Sequence, residues 1–385
     1  MNRTMSLIGK SLAVLLIGLL VVPAAAWCKE PYKIGGLFSV TGPSSFLGDP
    51  EKKSLELAID EINARGGIDG HLLEAVIYDT EGDPGKTNLN ASKLITKDNV
   101  IAIIGPSLTP TTLAIVPLAE KQPVPLISCA AGILITEPVK PWVFKTAQND
   151  VLAVAAIYGH MRKKNIKKVG IITVESAYGE SGRDQLTAQA PKFGIQVVQA
   201  ETFGAKDTDM TAQLTKVRSA QPEAVICWGT NPGPAVIARN FQQMGFKIPL
   251  YQSHGVASPK FVELAGEAAE NIVLPAGKIL VTDQLPDSDP QKVVLKRYVE
   301  QFTGRFKQPV SPFGGYAYDA MMILAKALEG TEGKKDAVRK RIEEVKGLVG
   351  VTGTFNFSPQ DHNGLGPDAF VMVQIQNGKF KVIDQ

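Results

Sequence analysis

Val100-Ile101-Ala102-Ile103-Ile104-Gly105-Pro106-Ser107-Leu108-Thr109-Pro110-Thr111-Thr112 is an apolar run stopped by Gly-Pro, followed by hydroxyl residues that lead into a helical pattern over 112–120. A short apolar run, a turn signal and a helix-period stretch make one strand–turn–helix unit. The unit recurs along the chain. Strand-like runs at 32–38, 72–78, 124–127, 168–174, 195–201, 224–227, 250–252 and 271–274 are separated by helical stretches. In one of these, Leu55, Ala58, Ile59 and Ile62 fall at i, i+3, i+4 and i+7, and Gly66-Gly67 then stops the helix. Strand, helix, strand in sequence implies right-handed crossovers and mostly parallel sheets, so the fold class is α/β. Helical patterns at 292–302, 316–328 and 335–345 follow, and then a final strand pair at about 368–374 and 379–383.

The N-terminal 26 residues stand apart. Arg3 and Lys10 precede an apolar run over 12–22, and Pro23 leads to Ala24-Ala25-Ala26, a small-x-small cleavage site. The run is too short to span a hydrocarbon core of about 30 Å, and the order of parts is that of a secretory signal peptide. A retained membrane anchor is one alternative. A lipoprotein is another, because Cys28 follows the small residues, although bulky Trp27 fits a lipid-attachment site poorly.

Export changes the charge balance. The full chain of 385 residues has 41 Lys+Arg against 38 Asp+Glu, a net of +3. Cleavage after Ala26 removes Arg3 and Lys10 and leaves 359 residues with 39 basic against 38 acidic, a net of +1. Nothing in that balance calls for nucleic acid or an acidic membrane surface. At this length two domains are the expectation. The three cysteines, Cys28, Cys129 and Cys227, give no disulfide framework, and the four histidines show no metal-ligand spacing.

There is no GxxxxGK[ST], no GxGxxG after a strand and no GxSxG elbow, so an enzyme or nucleotide-binding reading has no motif to stand on. Ligand capture fits an exported α/β protein better. Ligands of open α/β sheets sit beyond the carboxyl ends of the strands, beside helix N-termini. Five segments occupy such ends: Ser107–Thr109, Ser128–Gly132, Ser176–Gly179, Trp228–Pro232 and Ser253–Val256. For the first, the alternative is that Ser107 and Thr109 merely cap the following helix.

A family resemblance rests on runs spread in order over the mature chain. They are Lys33-Ile34-Gly35 with Ser39-Val40-Thr41-Gly42-Pro43, then Ala58–Gly70, Tyr78–Pro84 and Ile103–Pro106. Ala177-Tyr178-Gly179, Ala265–Glu270 and Ala317–Ala320 complete the set. In these the chain resembles the branched-chain amino-acid-binding proteins of ABC importers. The resemblance implies a type I periplasmic binding protein fold, with two doubly wound parallel-sheet lobes joined by three hinge crossings. Lobe one is then 27–147 plus 278–367, and lobe two 148–277 plus 368–385. It implies a periplasmic, monomeric carrier without cofactor, metal or nucleic-acid partner. Such a carrier closes on a small carboxylate or amino acid and docks on membrane permease subunits. An exported sensory input protein is the alternative of another class.

The same resemblance places site residues. An α-carboxylate would meet the Thr109 hydroxyl, beside Ser107, and the backbone N–H of Ala130. Gly132 stands where a second hydroxyl is usual. Tyr178 keeps its place, Thr230 takes a second aromatic position, and His254 falls where an acid holds the ligand's α-ammonium group. Phe46 and Trp228, with Tyr178, are candidate walls, while Phe313 is either a wall or packing. A buried ammonium facing imidazole is poorly served, because leaving a buried charge unpaired costs about 3 kcal/mol or more. The sequence therefore favours a carboxylate without an α-amino group, with an aromatic body as one option; an amino acid whose ammonium meets some other acid is the alternative.

Overall fold

The computed structural model describes residues 29–384. The signal-peptide reading and the Cys28 lipidation alternative fall outside these residues. The first sheet is built from β1 (Lys29–Phe38), β2 (His71–Asp79), β3 (Ala102–Ile104), β4 (Leu126–Ser128) and β5 (Val143–Lys145), all parallel in the order β2-β1-β3-β4-β5. Its crossover helices are α1 (Ser45–Asn63), α2 (Pro84–Thr96) and α3 (Thr109–Lys121). Strand β5 has no counterpart in the strand-like runs of the sequence; it is three residues long and ends in a lysine.

The second sheet repeats the winding. After α4 (Asp150–Lys163) come β6 (Lys168–Val174), α5 (Ala177–Gln189), β7 (Gln196–Phe203), α6 (Thr211–Ser219), β8 (Ala224–Trp228) and α7 (Gly233–Gln243). Then follow β9 (Leu250–Gln252), α8 (Pro259–Ala265) and β10 (Val273–Ala276). The order β7-β6-β8-β9-β10 matches that of the first sheet strand for strand. Both faces of β6 and β8 are covered, so their residues from Val169 and Ala224 onward are buried without alternation.

The chain then returns to pack α9 (Lys292–Phe306) and α10 (Pro312–Leu328) beside α1, followed by α11 (Lys335–Glu343) and the hairpin β11 (Leu348–Val349) and β12 (Thr354–Phe355). It passes back once more to add β13 (Val371–Gln376) and β14 (Lys379–Asp384), antiparallel, to the second sheet beside β10. Asp368, read from sequence as the start of that strand, lies instead in a 3-10 turn, Pro367–Ala369. The chain thus passes three times between the two sheets.

All three passages meet at Gln148, which is fully buried just after β5. Its amide nitrogen donates to the carbonyls of Thr352 (3.2 Å) and Ala369 (3.0 Å), and its carbonyl oxygen accepts from Tyr316 Oη (3.0 Å). The third passage leaves β10 at Gly277, where a Cβ would stand 3.6 Å from the same amide nitrogen. Asn363 adds bonds to the carbonyls of Lys145 (3.4 Å) and Ala147 (3.0 Å).

Close approach also fixes where α5 begins. A Cβ on Gly179 would lie 1.8 Å from the carbonyl oxygen of Val174 at the end of β6. Gly179→Ala must therefore push α5 off the strand end, a form of overpacking that costs about 1–3 kcal/mol. Urea denaturation should show a lowered midpoint with the slope unchanged.

Candidate functional site

A cavity of about 310 Å³ opens between the carboxyl edges of the two sheets. One wall carries Leu47 after β1, Gly82 after β2, Ser107 and Thr109 after β3, and Cys129 and Ala130 after β4. The facing wall carries Val174 and Tyr178 around the β6 turn, Lys206 after β7, Thr230 and Asn231 after β8, and His254 after β9. Phe313 and Tyr316 of α10 complete it. Each sheet's winding reverses between its first and third strands, and the crevice outside those strand ends is where doubly wound folds bind ligands.

Of the residues singled out from sequence, Ser107, Thr109, Ala130, Tyr178, Thr230 and His254 line this cavity, and Gly132, Trp228 and Phe46 do not. Trp228 is fully buried behind the wall, its ring 5.9 Å from Tyr178 and 5.7 Å from His254. Phe46 stands edge-on behind Phe313 at 5.6 Å, so Phe313 is the wall and Phe46 its backing. Gly132 lies behind Thr109: a Cβ there would come within 2.5 Å of Thr109 Cγ2. Its bareness is a packing requirement of Thr109.

The hydroxyls divide by what they already do. Neither Ser107 nor Thr109 caps α3, whose N-cap is Leu108 with no side-chain bond. Ser107 Oγ accepts from the N–H of Ser39 (3.0 Å) and donates to Glu51 Oε2. The N–H of Ala130, expected to serve a ligand, donates to Ser128 Oγ (3.1 Å). Thr109 Oγ1 accepts from the N–H of Gly132 (3.1 Å), which leaves its own proton to be donated.

Burial keeps the interior uncharged. It holds the phenols of Tyr178 and Tyr316 and the thiol of Cys129 far above their ordinary ionisation range. The His254 imidazole is pushed down to about 3 by burial and then by the charge of Lys145, and the backbone of Gln148 only partly opposes this. Both ring nitrogens of His254 are buried without a hydrogen-bond partner, as are both polar atoms of the Asn231 amide.

Three ionisable side chains behind the walls had no sequence signal of their own. Glu51 of α1 is fully buried, and desolvation raises its carboxyl well above the usual range despite the Ser107 bond. Lys145, at the end of β5, is fully buried and donates to the carbonyls of Ala131 and Gly132 (3.5 Å for the latter). Asp150, at the start of α4, accepts from Ser181 Oγ and from the N–H of Ile133 (3.3 Å). Among the described residues no cluster of three His, Cys, Asp or Glu is placed to hold a metal, and no helix is long and apolar enough to cross a membrane.

A family model for periplasmic binding proteins matches residues 31–379. The chain belongs to the periplasmic binding protein family. A similar solved structure is an extracellular ligand-binding receptor from Rhodopseudomonas palustris HaA2, with TM-score 0.85 and 29% identity, covering 92% of this chain and 99% of that one. Another is the branched-chain amino acid transporter substrate-binding protein LivJ of Streptococcus pneumoniae, in complex with isoleucine. Its TM-score is 0.82 at 28% identity, with 92% and 100% covered. The leucine-, isoleucine-, valine-, threonine- and alanine-binding protein of Pseudomonas aeruginosa is 27% identical, with 78% of each chain covered. The branched-chain amino-acid-binding family resembled by the sequence is thus the one these relatives represent, and this periplasmic binding protein is a carrier, not an enzyme.

The neutral imidazole has a measurable consequence for this binding protein. In the unfolded chain His254 takes up a proton below its ordinary value of 6.5, and in the folded chain only near pH 3. Its contribution to stability is therefore complete above pH 6.5 and declines by about 1.4 kcal/mol per pH unit on acidification towards 3. His254→Gln should flatten that limb of the stability–pH curve, measured by urea denaturation at fixed pH steps.

Proposed function

We propose that the protein is the periplasmic receptor of an ABC importer, and that it carries a small carboxylate lacking an α-amino group to its permease. One observation carries the choice of ligand: where an α-ammonium would need an acid, the cavity presents His254, buried, unpartnered and held neutral. A charge left unpaired there is strongly unfavourable. Among the described residues the one carboxylate on the lining is Glu81, which is paired with Lys86 at 2.5 Å. Glu51 and Asp150 sit behind the walls, each bonded through one carboxyl oxygen. The Thr109 proton supplies a donor for the carboxylate. Tyr178, Phe313 and Tyr316 offer ring faces and edges to an apolar or aromatic body. A volume of about 310 Å³ is at the small end of the range for small-molecule sites.

A second reading, capture of a branched-chain or other amino acid, is favoured by what the Pseudomonas and Streptococcus relatives bind. It requires an acid to reach the ammonium group; Glu51 behind Ser107 and Asp150 at the start of α4 each keep one buried, unpartnered carboxyl oxygen for that purpose.

Mass spectrometry of ligand released from purified protein, with a thermal-shift panel, separates the two readings. Benzoate or 4-methyl-2-oxopentanoate at a hundred times its Kd should stabilise the protein by about 2.7 kcal/mol, while leucine and valine leave the melting temperature in place. The opposite pattern overturns the proposed ligand class. His254→Glu should weaken the bound carboxylate by about tenfold or more, since it adds a like charge to a buried site.

A further inference from the structure

The peptide unit between Ala131 and Gly132 is held at both ends. Its carbonyl accepts from Lys145 Nζ, and its N–H donates to Thr109 Oγ1 at 3.1 Å. The next peptide repeats the arrangement: the Gly132 carbonyl faces Lys145 Nζ at 3.5 Å, and the Ile133 N–H donates to Asp150 Oδ2 at 3.3 Å. Two consecutive peptides therefore turn their carbonyls to a buried cation, while their N–H groups point to the Thr109 hydroxyl and to a buried anion. The whole arrangement is out of water: Lys145 and Asp150 are fully buried, and Thr109 is 2% exposed.

A cation on a carbonyl polarises the amide so that its N–H becomes a better donor, and hydrogen bonds in a chain reinforce one another where the dielectric is low. A hydroxyl oxygen that accepts a strong N–H bond must direct its own proton elsewhere and donates it more strongly. For Thr109 the remaining direction is the cavity that it lines.

We infer that Lys145 is a positioning residue for the ligand carboxylate, acting without touching it, through the Ala131–Gly132 peptide and the Thr109 hydroxyl. This rests on Thr109 being the carboxylate donor and is indifferent to whether the ligand also carries an amine. The arrangement also accounts for the bare Gly132, since a side chain there would part Thr109 from the peptide that orients it. Asp150 is the counter-charge. It comes from the other side of the first passage, on α4, and with Ser181 of α5 it holds the same loop from the second lobe.

The test compares Lys145→Met with Lys145→Arg in the full mature protein. In ¹⁵N spectra of the unliganded protein, the Gly132 amide proton should move upfield in Lys145→Met and stay near its original position in Lys145→Arg. Kd is then measured for benzoate, 4-methyl-2-oxopentanoate and L-leucine, each against its primary amide. For whichever carboxylate binds, Lys145→Met should raise Kd about tenfold or more, and the amide's Kd by less than about threefold, with Lys145→Arg restoring the carboxylate.

A folded Lys145→Met protein with an unmoved Gly132 signal overturns the inference. So does equal weakening of acid and amide. Binding of leucine alone would overturn the proposed ligand class and leave the Lys145 comparison to be read on leucine and leucinamide. If none of the three carboxylates binds, the Gly132 signal decides.

Lys145→Arg keeps the test open if Lys145→Met does not fold. Burial pulls the Lys145 ammonium below the ordinary lysine range, against the opposing charges of Asp150 on α4, Glu137 beyond the Ile133–Ile135 turn and Asp361 ahead of β13. His254, which feels the Lys145 charge, is already neutral. Deprotonation on raising the pH from about 7 to about 10 should move the wild-type Gly132 signal and not that of the arginine variant. Matching pH profiles in the two proteins overturn the inference.

Discussion

Parallel strands joined by right-handed crossovers leave every strand-to-helix turn on one edge of the sheet, and everything else in this molecule follows from that constraint. Two such sheets with the same winding, β2-β1-β3-β4-β5 and β7-β6-β8-β9-β10, bring those edges face to face. The cavity is lined by turns because turns are what the two edges offer. Polar groups at strand ends, the start of α3 and the rings of α10 converge there without any one segment having to build a site alone.

The cavity wall and the layer behind it are electrically different. Desolvation neutralises what faces the ligand: His254 loses its proton, and Tyr178, Tyr316 and Cys129 keep theirs. One layer back lie Lys145 and Asp150, each favoured by the other's opposite charge, and Glu51, whose carboxyl burial holds towards its neutral form. A layer of this kind lets the uncharged inner lining impose polarity on a ligand through hydrogen bonds, while Lys145 and Asp150, which set that polarity, stay behind the wall.

Periodicity made the α/β alternation legible, because strands buried on both faces read as apolar runs and their covering helices keep a 3.6-residue rhythm. The same double burial concealed which way side chains point. Along β8 no alternation separates Trp228 from the residues that reach the cleft, so a large aromatic at a strand end read as a wall when it is core. Strand β5 is illegible in the sequence because Val143-Phe144-Lys145 is too short to show a period and ends in a residue type that is almost never fully buried. With that strand went the lysine itself. Glu51 was hidden in the same way, in a charged run, Asp49-Pro50-Glu51-Lys52-Lys53, that reads as solvated surface. The sequence marked the strand-end hydroxyls and His254; it carried no sign of the ions that orient them, since those come from positions far apart in the chain.

The knot at Gln148 bears on how such a molecule can move. A single connection would leave two bodies free to swing, slide and twist. Three connections gathered within reach of one amide group remove sliding and leave rotation about a line through that point. An uncharged side chain is suited to this place, because it can hold carbonyls and a phenol in register without exerting a long-range pull on either half. Glu81 and Lys206 are exposed at the cavity's rim and Gln148 is buried, so a rotation about that amide parts the two edges as a mouth opens rather than as two plates separate.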